Sequence, residues 1–189
     1  MSTAIPFPLL TPRLVIRPMR LGDSAELFAV YGDADLMRHL TPDVPTSLEE
    51  AEGWVRSKIE LFEEAGGLSL WTVEHRESGR IVGDVGLQQE DYGWDEAVIG
   101  LGGRGSREFW HQGLAIEASI ACLEAGFTHL GLDRIGAETA PGNLPAQRLL
   151  ERLGMERAGS NADGWPVYLV TRQRWDSRPA WQPPSASAE

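Results

Sequence analysis

Apolar residues recur along this chain with two periods, and the periods predict most of its elements. Ile116, Ile120, Leu123, Phe127 and Leu130 follow one another at steps of four, three, four and three. That is the stripe of an amphipathic helix and predicts one over 112–130. Ala146, Leu149, Leu150 and Leu153 form a second stripe behind Asn143, whose side chain suits a helix cap, and Gly154 stops it. Ser47-Leu48-Glu49-Glu50 has capping-box spacing and opens a helix through Trp54, Val55, Ile59 and Phe62, ended by Gly66-Gly67. Asp23 is placed to cap a short helix carrying Leu27, Phe28 and Tyr31, and a further short helix is expected over 34–40.

Strand-like runs fill the intervals. LVIRP at 14–18 comes first, then 68–74 and 81–88, joined as a hairpin by the turn Glu77-Ser78-Gly79-Arg80. A turn over 91–95 leads to a strand over 96–101, then a glycine-rich loop and the long helix. Strands over 135–139, 155–158 and 167–174 follow. This order predicts an α/β chain with a mixed sheet and helices packed on its faces. The strand–helix–strand unit over 96–139 requires a right-handed crossover and a parallel strand pair. One domain is expected over 1–175. The segment 176–189, rich in proline, serine and alanine, is expected to be a mobile tail.

Bulk composition narrows the function classes. A chain of 189 residues with 42% hydrophobic content can bury a sizeable core. A net charge of −11 argues against non-specific nucleic-acid binding and suits a cationic small molecule or basic peptide. The single cysteine, Cys122, forms no internal disulfide; in the middle of the apolar-periodic helix it reads as a small buried hydrophobe, not a nucleophile. The first residues have neither a basic n-region nor a long apolar run, so the expectation is a cytoplasmic protein with no membrane span. The four histidines, His39, His75, His111 and His129, are scattered and match no metal-ligand spacing, so no metal is expected. Monomer and homodimer both stay open.

Two glycine patterns bear on chemistry. Gly100-Leu101-Gly102-Gly103-Arg104-Gly105 matches G-x-G-x-x-G literally, which would indicate a nucleotide-dependent oxidoreductase. The dinucleotide fingerprint needs its glycines in the turn that opens the helix, however, and here the helical pattern starts several residues later. The second pattern is FWHQGLAIEA, 109–118, where Gly113 sits in the opening turn of the long helix. Glycine costs about 1 kcal/mol against alanine inside a helix. At a helix start it admits a ligand to unpaired N–H groups and to the positive end of the helix dipole. The span 110–115 is therefore a candidate anion site.

Four stretches in order, TPRLVIRPMRLGD, AVIGLG, FWHQGLAIEA and NLPAQRLLERLGM, resemble the Gcn5-related N-acetyltransferase (GNAT) superfamily. More narrowly they resemble its ribosomal-protein-alanine N-acetyltransferase (RimJ/RimL-type) branch. The resemblance covers 11–174. It implies a mixed, mostly antiparallel sheet of about six to seven strands, splayed between its fourth and fifth, with helices on both faces. It also implies acetyl-coenzyme A as co-substrate and a primary amine as acceptor, either a protein N-terminus or a small molecule, with direct attack in a ternary complex. Carried over, Leu101, Gly102 and Gly103 offer backbone groups to pantetheine and the thioester carbonyl, where a fixed N–H stabilises the oxyanion. Trp110, His111, Gln112, Gly113, Leu114 and Ala115 would hold the pyrophosphate, and Asn143 would reach the coenzyme near the thioester. Arg104, Arg107 and Arg148 are further phosphate candidates.

An attacking amine must be neutral, so a carboxylate is needed as base. Glu138 is the favoured candidate, with Glu96 and Asp84 behind it. The acceptor pocket is expected to draw on the early helices and on DYGWDE, whose charge and aromatic surface suit a cation. Departures from the family pattern are Ala146 and Leu150, at positions where relatives carry a general-acid serine or tyrosine. They favour the alternative of a non-catalytic acyl-coenzyme A sensor.

Overall fold

The computed structural model describes residues 4–32, 37, 45–179 and 181. In chain order the elements are β1 (Leu9–Leu10), β2 (Leu14–Pro18), α1 (Ser24–Tyr31), α2 (Leu48–Glu64), β3 (Ser69–His75), β4 (Ile81–Glu90) and β5 (Val98–Gly105). Then follow α3 (Leu114–Thr128), β6 (Arg134–Glu138), α4 (Leu144–Arg152), β7 (Glu156–Ser160), β8 (Pro166–Thr171) and α5 (Arg172–Asp176). The short helix expected over 34–40 lies almost wholly outside the described residues.

Each element reflects its local chemistry. Ser47 caps α2, its hydroxyl accepting from the Glu50 N–H at 3.1 Å. The Glu50 carboxylate turns to the N–H and hydroxyl of Thr46, one residue earlier than a capping box would place it. At the other end Gly66 and Gly67 take positive φ, as the expected stop requires. Asn143 caps α4, its Oδ1 accepting from the Ala146 N–H at 3.2 Å. Asp23 does not cap α1. Its carboxylate instead takes Arg17, the Arg20 N–H and the Thr72 hydroxyl, tying the first helix to β2 and β3.

All eight strands form one sheet in the order β1-β2-β3-β4-β5-β6-β8-β7. Every neighbouring pair is antiparallel except β5 and β6, which are parallel. The sheet is thus mixed and mostly antiparallel, with one strand more than the expected six to seven because a two-residue β1 pairs with β2. On one face α3, α4 and α5 bury Trp71, Leu87, Leu101, Ile135, Tyr168 and Trp175. On the other, α1 and α2 cover Met19, Leu70 and Ile81 with Leu27 and Val55.

Several boundaries move by one or two residues, β5 starting at Val98 and not at Glu96, and two move further. The expected glycine-rich loop is strand: β5 runs to Gly105 and pairs without a register shift, Val98↔Glu90 through Gly105↔Gly83. Low intrinsic strand preference hides such a segment, which is held by its neighbour's ladder. The strand expected over 167–174 ends at Thr171, whose hydroxyl accepts from the Arg174 N–H at 3.3 Å and caps α5. Beyond α5, Trp181 packs against the core, and 182–189 lie outside the described residues. Among the described residues no helix is long and apolar enough to cross a membrane.

Candidate active site

The parallel pair is the singular point of the sheet. β5 and β6 are in register at Gly100↔Gly136 and at no further pair, whereas β4–β5 pair over eight positions. Past Gly100 the two strands part, and the edge of β5 faces a gap. Which backbone groups reach it follows from strand alternation. The Ser106 N–H donates to Val82 O at 2.7 Å. With the unbroken register, even-numbered residues of β5 therefore turn their N–H and C=O toward β4, and odd-numbered ones turn away. Leu101 and Gly103 present backbone groups on the gap side. Gly102, expected to do the same, directs its groups at β4.

The chain then turns through 106–113 into α3. The Trp110 indole N–H donates to the Gly105 carbonyl at 2.8 Å, Arg107 stacks on the Trp110 ring, and the Gln112 amide N–H donates to the Glu108 carbonyl at 3.0 Å. His111 and Gly113 both adopt left-handed backbone, with φ of 61° and 74°. Gly113 is the residue just before the helix, and its positive φ supplies a conformational reason for glycine beside access. The N–H groups of Leu114, Ala115 and Ile116 head α3 with no intrahelical acceptor. Ala115 is exposed, so this end is open to an anion.

A buried ion pair fixes that end. Glu117, in the first turns of α3, is 2% exposed. Its carboxylate accepts from the Thr11 hydroxyl at 2.7 Å, the Arg13 N–H at 2.9 Å and Arg13 Nε at 2.7 Å. Arg13 Nη1 donates to the Gln112 carbonyl at 2.8 Å. Thr11, Arg13 and Glu117 belong to the first and third of the four resembling stretches, so this contact joins two motifs. The sequence offers no local signal for it, because 104 residues separate Arg13 from Glu117.

The α1/α2 face of the parting strands is acidic. Glu138, at the end of β6, is half-buried and accepts from Asn161 Nδ2 at 2.8 Å. Burial raises its carboxyl above the ordinary glutamate range; the Asn161 bond opposes this, and Glu90 and Asp163 add to it. Tyr92 packs directly on the parallel pair. A Cβ at Gly136 would lie 2.7 Å from its ring, and one at Gly100 would lie 2.6 Å from its hydroxyl and 2.4 Å from Glu90 Cγ. Both positions admit only glycine because Tyr92 and Glu90 occupy that space. Sequence reasoning placed Tyr92 in an aromatic turn and passed over Glu90. The alternation along β4, which puts Gln88 and Glu90 on one face, was the available signal.

The remaining candidates separate. Glu96 lies at the closed end of the pair, exposed and bridged to Arg134 at 2.9 Å, away from the gap. Asn143 stands just after β6 as the α4 cap. Asp84 is buried and committed, accepting from the Tyr31 hydroxyl at 2.8 Å and paired with Arg104 at 3.2 Å. Arg104 lies over the edge-to-face pair of Tyr31 and Trp54 rings, 4.7 and 4.6 Å from their centroids, on the face opposite α3 and far from a phosphate role. Arg148 is exposed on α4. Cys122 is fully buried, and burial pushes its thiol well up.

Known proteins share this fold. An Acetyltransferase (GNAT) domain model matches residues 13–156. The Bacillus subtilis protein YkkB is 30% identical over 169 residues, covering 89% of this chain and 90% of its own. YoaA of the same organism, named an uncharacterized N-acetyltransferase, is 29% identical over 154 residues, 81% of this chain and 85% of its own. Among solved structures, a GNAT-family acetyltransferase from Bacillus anthracis superposes with a TM-score of 0.73 at 22% identity, over 87% of this chain and 98% of its own. Mycobacterium smegmatis RimJ, in complex with CoA-disulfide, gives 0.70 at 18% identity, over 85% and 82%. A sheet that splits at its parallel pair, an anion-ready helix start beside the split and these matches lead to one conclusion: the chain belongs to the GNAT family of acetyltransferases.

Proposed function

We propose that this enzyme transfers an acetyl group from acetyl-coenzyme A to a primary amine by direct attack, with both substrates bound at the β5–β6 split. The split itself carries this reading: beyond Gly100 one edge of β5 is left without a strand partner, beside three helix-opening N–H groups. The residues present fit the coenzyme. Trp110 to Ala115 shape an anion cradle in which His111 and Gly113 hold left-handed backbone and Leu114 and Ala115 contribute N–H groups. Leu101 and Gly103 face the gap, where a pantetheine arm would complete the edge of β5, and a fixed N–H there polarises a thioester carbonyl. Asn143 borders the same end of β6. When bound, acetyl-coenzyme A supplies an acyl group on a good leaving group.

The amine approaches from the α1/α2 face. Glu138 takes its proton, directly or through water. Its raised pKa suits a base that must be ionised yet exchange a proton with an ammonium. Direct attack is supported by Cys122: the chain's one thiol is buried in α3 and held protonated, so it is no carrier for an acyl group. The acidic face matches the net charge of −11 and suits a cationic acceptor.

The test is incubation with acetyl-coenzyme A and a panel of primary amines and short peptides, following free thiol and the mass of the amine. Thiol release tied one-to-one to an acetylated amine is expected. Thiol release without amine product, or none with any acceptor, contradicts the proposal.

A further inference from the structure

Tyr92 poses a physical problem that the donor site does not answer. It is 2% exposed, and its hydroxyl has no hydrogen-bond partner among the described residues. A buried hydroxyl left unpaired is destabilising, and replacing it by hydrogen removes the penalty. Phenylalanine would fill the same space on Gly100 and Gly136, keep the edge contact with Trp94 at 5.4 Å and leave nothing unsatisfied. The hydroxyl therefore has a use that the free protein does not display.

Its position indicates the use. The oxygen lies over Gly100, at the last paired residue before β5 and β6 part, against the Glu90 side chain. Glu90, from β4, and Glu138, from β6, both act on it electrostatically. Asp163, in the turn between β7 and β8, adds a third negative charge near Glu138. The countercharge is Lys58 on α2, which acts on Glu90 and donates to Gln88 at 3.2 Å. Arg104, also near Lys58, is paired with Asp84, so among the described residues carboxylates outnumber cations around the unpaired hydroxyl, which sits between Glu90 and Glu138.

We propose that Tyr92, with Glu90 and Glu138, is the seat of the acceptor nitrogen, and that it selects a primary amine with no carboxylate beside it. This rests on the acetyl-transfer reading and narrows its substrate class. The ammonium donates to the two carboxylates on arrival. The Tyr92 oxygen accepts from the nitrogen and orients it once Glu138 has taken a proton. A free α-amino acid brings its own carboxylate within a few ångströms of Glu90, Glu138 and Asp163 and is repelled. A peptide N-terminus or a polyamine brings none.

The probes are alaninamide and alanine, which share an amine and differ in the carboxylate. Each is titrated calorimetrically into wild type, Tyr92→Phe and Glu90→Gln, all saturated with coenzyme A, and melting temperatures are recorded. Wild type is expected to bind alaninamide at least about tenfold more tightly than alanine. Tyr92→Phe is expected to melt no lower than wild type, to keep its acetyl-coenzyme A affinity and to bind alaninamide at least about fivefold more weakly. Glu90→Gln is expected to weaken alaninamide and narrow the gap to alanine. Equal binding of the two probes by wild type overturns the selection. Unchanged alaninamide binding in Tyr92→Phe, or a melt several degrees lower, returns the hydroxyl to a structural role. If acetyl-coenzyme A binds and alaninamide does not, this inference alone fails; if acetyl-coenzyme A does not bind either, the acetyl-transfer reading fails first.

Discussion

Glu117→Gln offers the sharpest perturbation of the coupling between fold and site. The wild-type carboxylate gathers three hydrogen bonds, from the Thr11 hydroxyl, the Arg13 N–H and Arg13 Nε, and Arg13 Nη2 lies 2.7 Å from Oε2. The glutamate side chain is 1% exposed and that of Arg13 30%. The amide keeps the shape but removes the charge and turns an NH2 toward groups that all donate. Removing one partner of a fully buried pair costs about 3–5 kcal/mol, and the exposed flank of Arg13 lets water recover part of it, leaving about 2–4 kcal/mol. For a domain of this size that is a fall in Tm of about 5–15 °C.

Binding should respond too, because Arg13 also holds the Gln112 carbonyl at the head of α3. Loosening that carbonyl is expected to weaken acetyl-coenzyme A about tenfold, or 1.4 kcal/mol. Urea melts give the first quantity and calorimetry the second. Arg80→Ala breaks the exposed Arg80–Glu108 pair and serves as the control, with no measurable loss expected. A Glu117→Gln protein within about 1 kcal/mol of wild type would refute the reasoning, since the pair would then behave as an exposed one.

Further outcomes follow from the same geometry. As the proposed base, Glu138 must be ionised to act, and its pKa is raised, so kcat/KM should climb with pH through a limb above the ordinary glutamate range. Asn161→Ala removes a donor that favours the charged form and should move that limb to higher pH; Glu138→Gln should abolish it. Stability runs oppositely: this carboxyl's contribution is full below its unfolded value and lost as pH rises through the raised folded one. Glu138→Gln should therefore gain on wild type in urea melts above that window. Cys122→Ala should leave the acetyl-transfer rate within about twofold, and a large loss would point to an acyl-cysteine. Gly113→Ala forces a Cβ into left-handed backbone and should cost about 1–2 kcal/mol in a urea melt.

The helices were legible because their apolar residues repeat at helical spacing and their ends carry caps and stops that act over three or four residues. Ser47, Asn143 and the Gly66-Gly67 pair are such signals. The extension of β5 over 102–105 was not legible, since it is held by pairing with β4, whose backbone would lie 2.6 Å from a Cβ at Gly103, a fact of the sheet and not of the segment. For the same reason Asp84 reads from sequence as a possible base and Arg104 as a possible phosphate contact. The partners that commit Asp84, Arg104 and Tyr31, come from β5 and α1. In the candidate site, the open head of α3 could be read from a glycine before an amphipathic helix. The reversal of Gly102, the separation of Glu96 and the inward turn of Tyr92 depend on register and pairing, which no local pattern encodes.

The central claim is that the head of α3 receives the pyrophosphate of acetyl-coenzyme A beside the split. Ala115→Glu tests it most directly. The position is exposed in the first turn, where a carboxylate suits the helix dipole, so the fold should be kept. The same carboxylate repels a phosphate. Calorimetric titration of acetyl-coenzyme A should show saturable binding to wild type and at least about tenfold weaker binding to a variant that melts like it. Equal affinity in the two proteins, or no binding to folded wild type, would contradict the account.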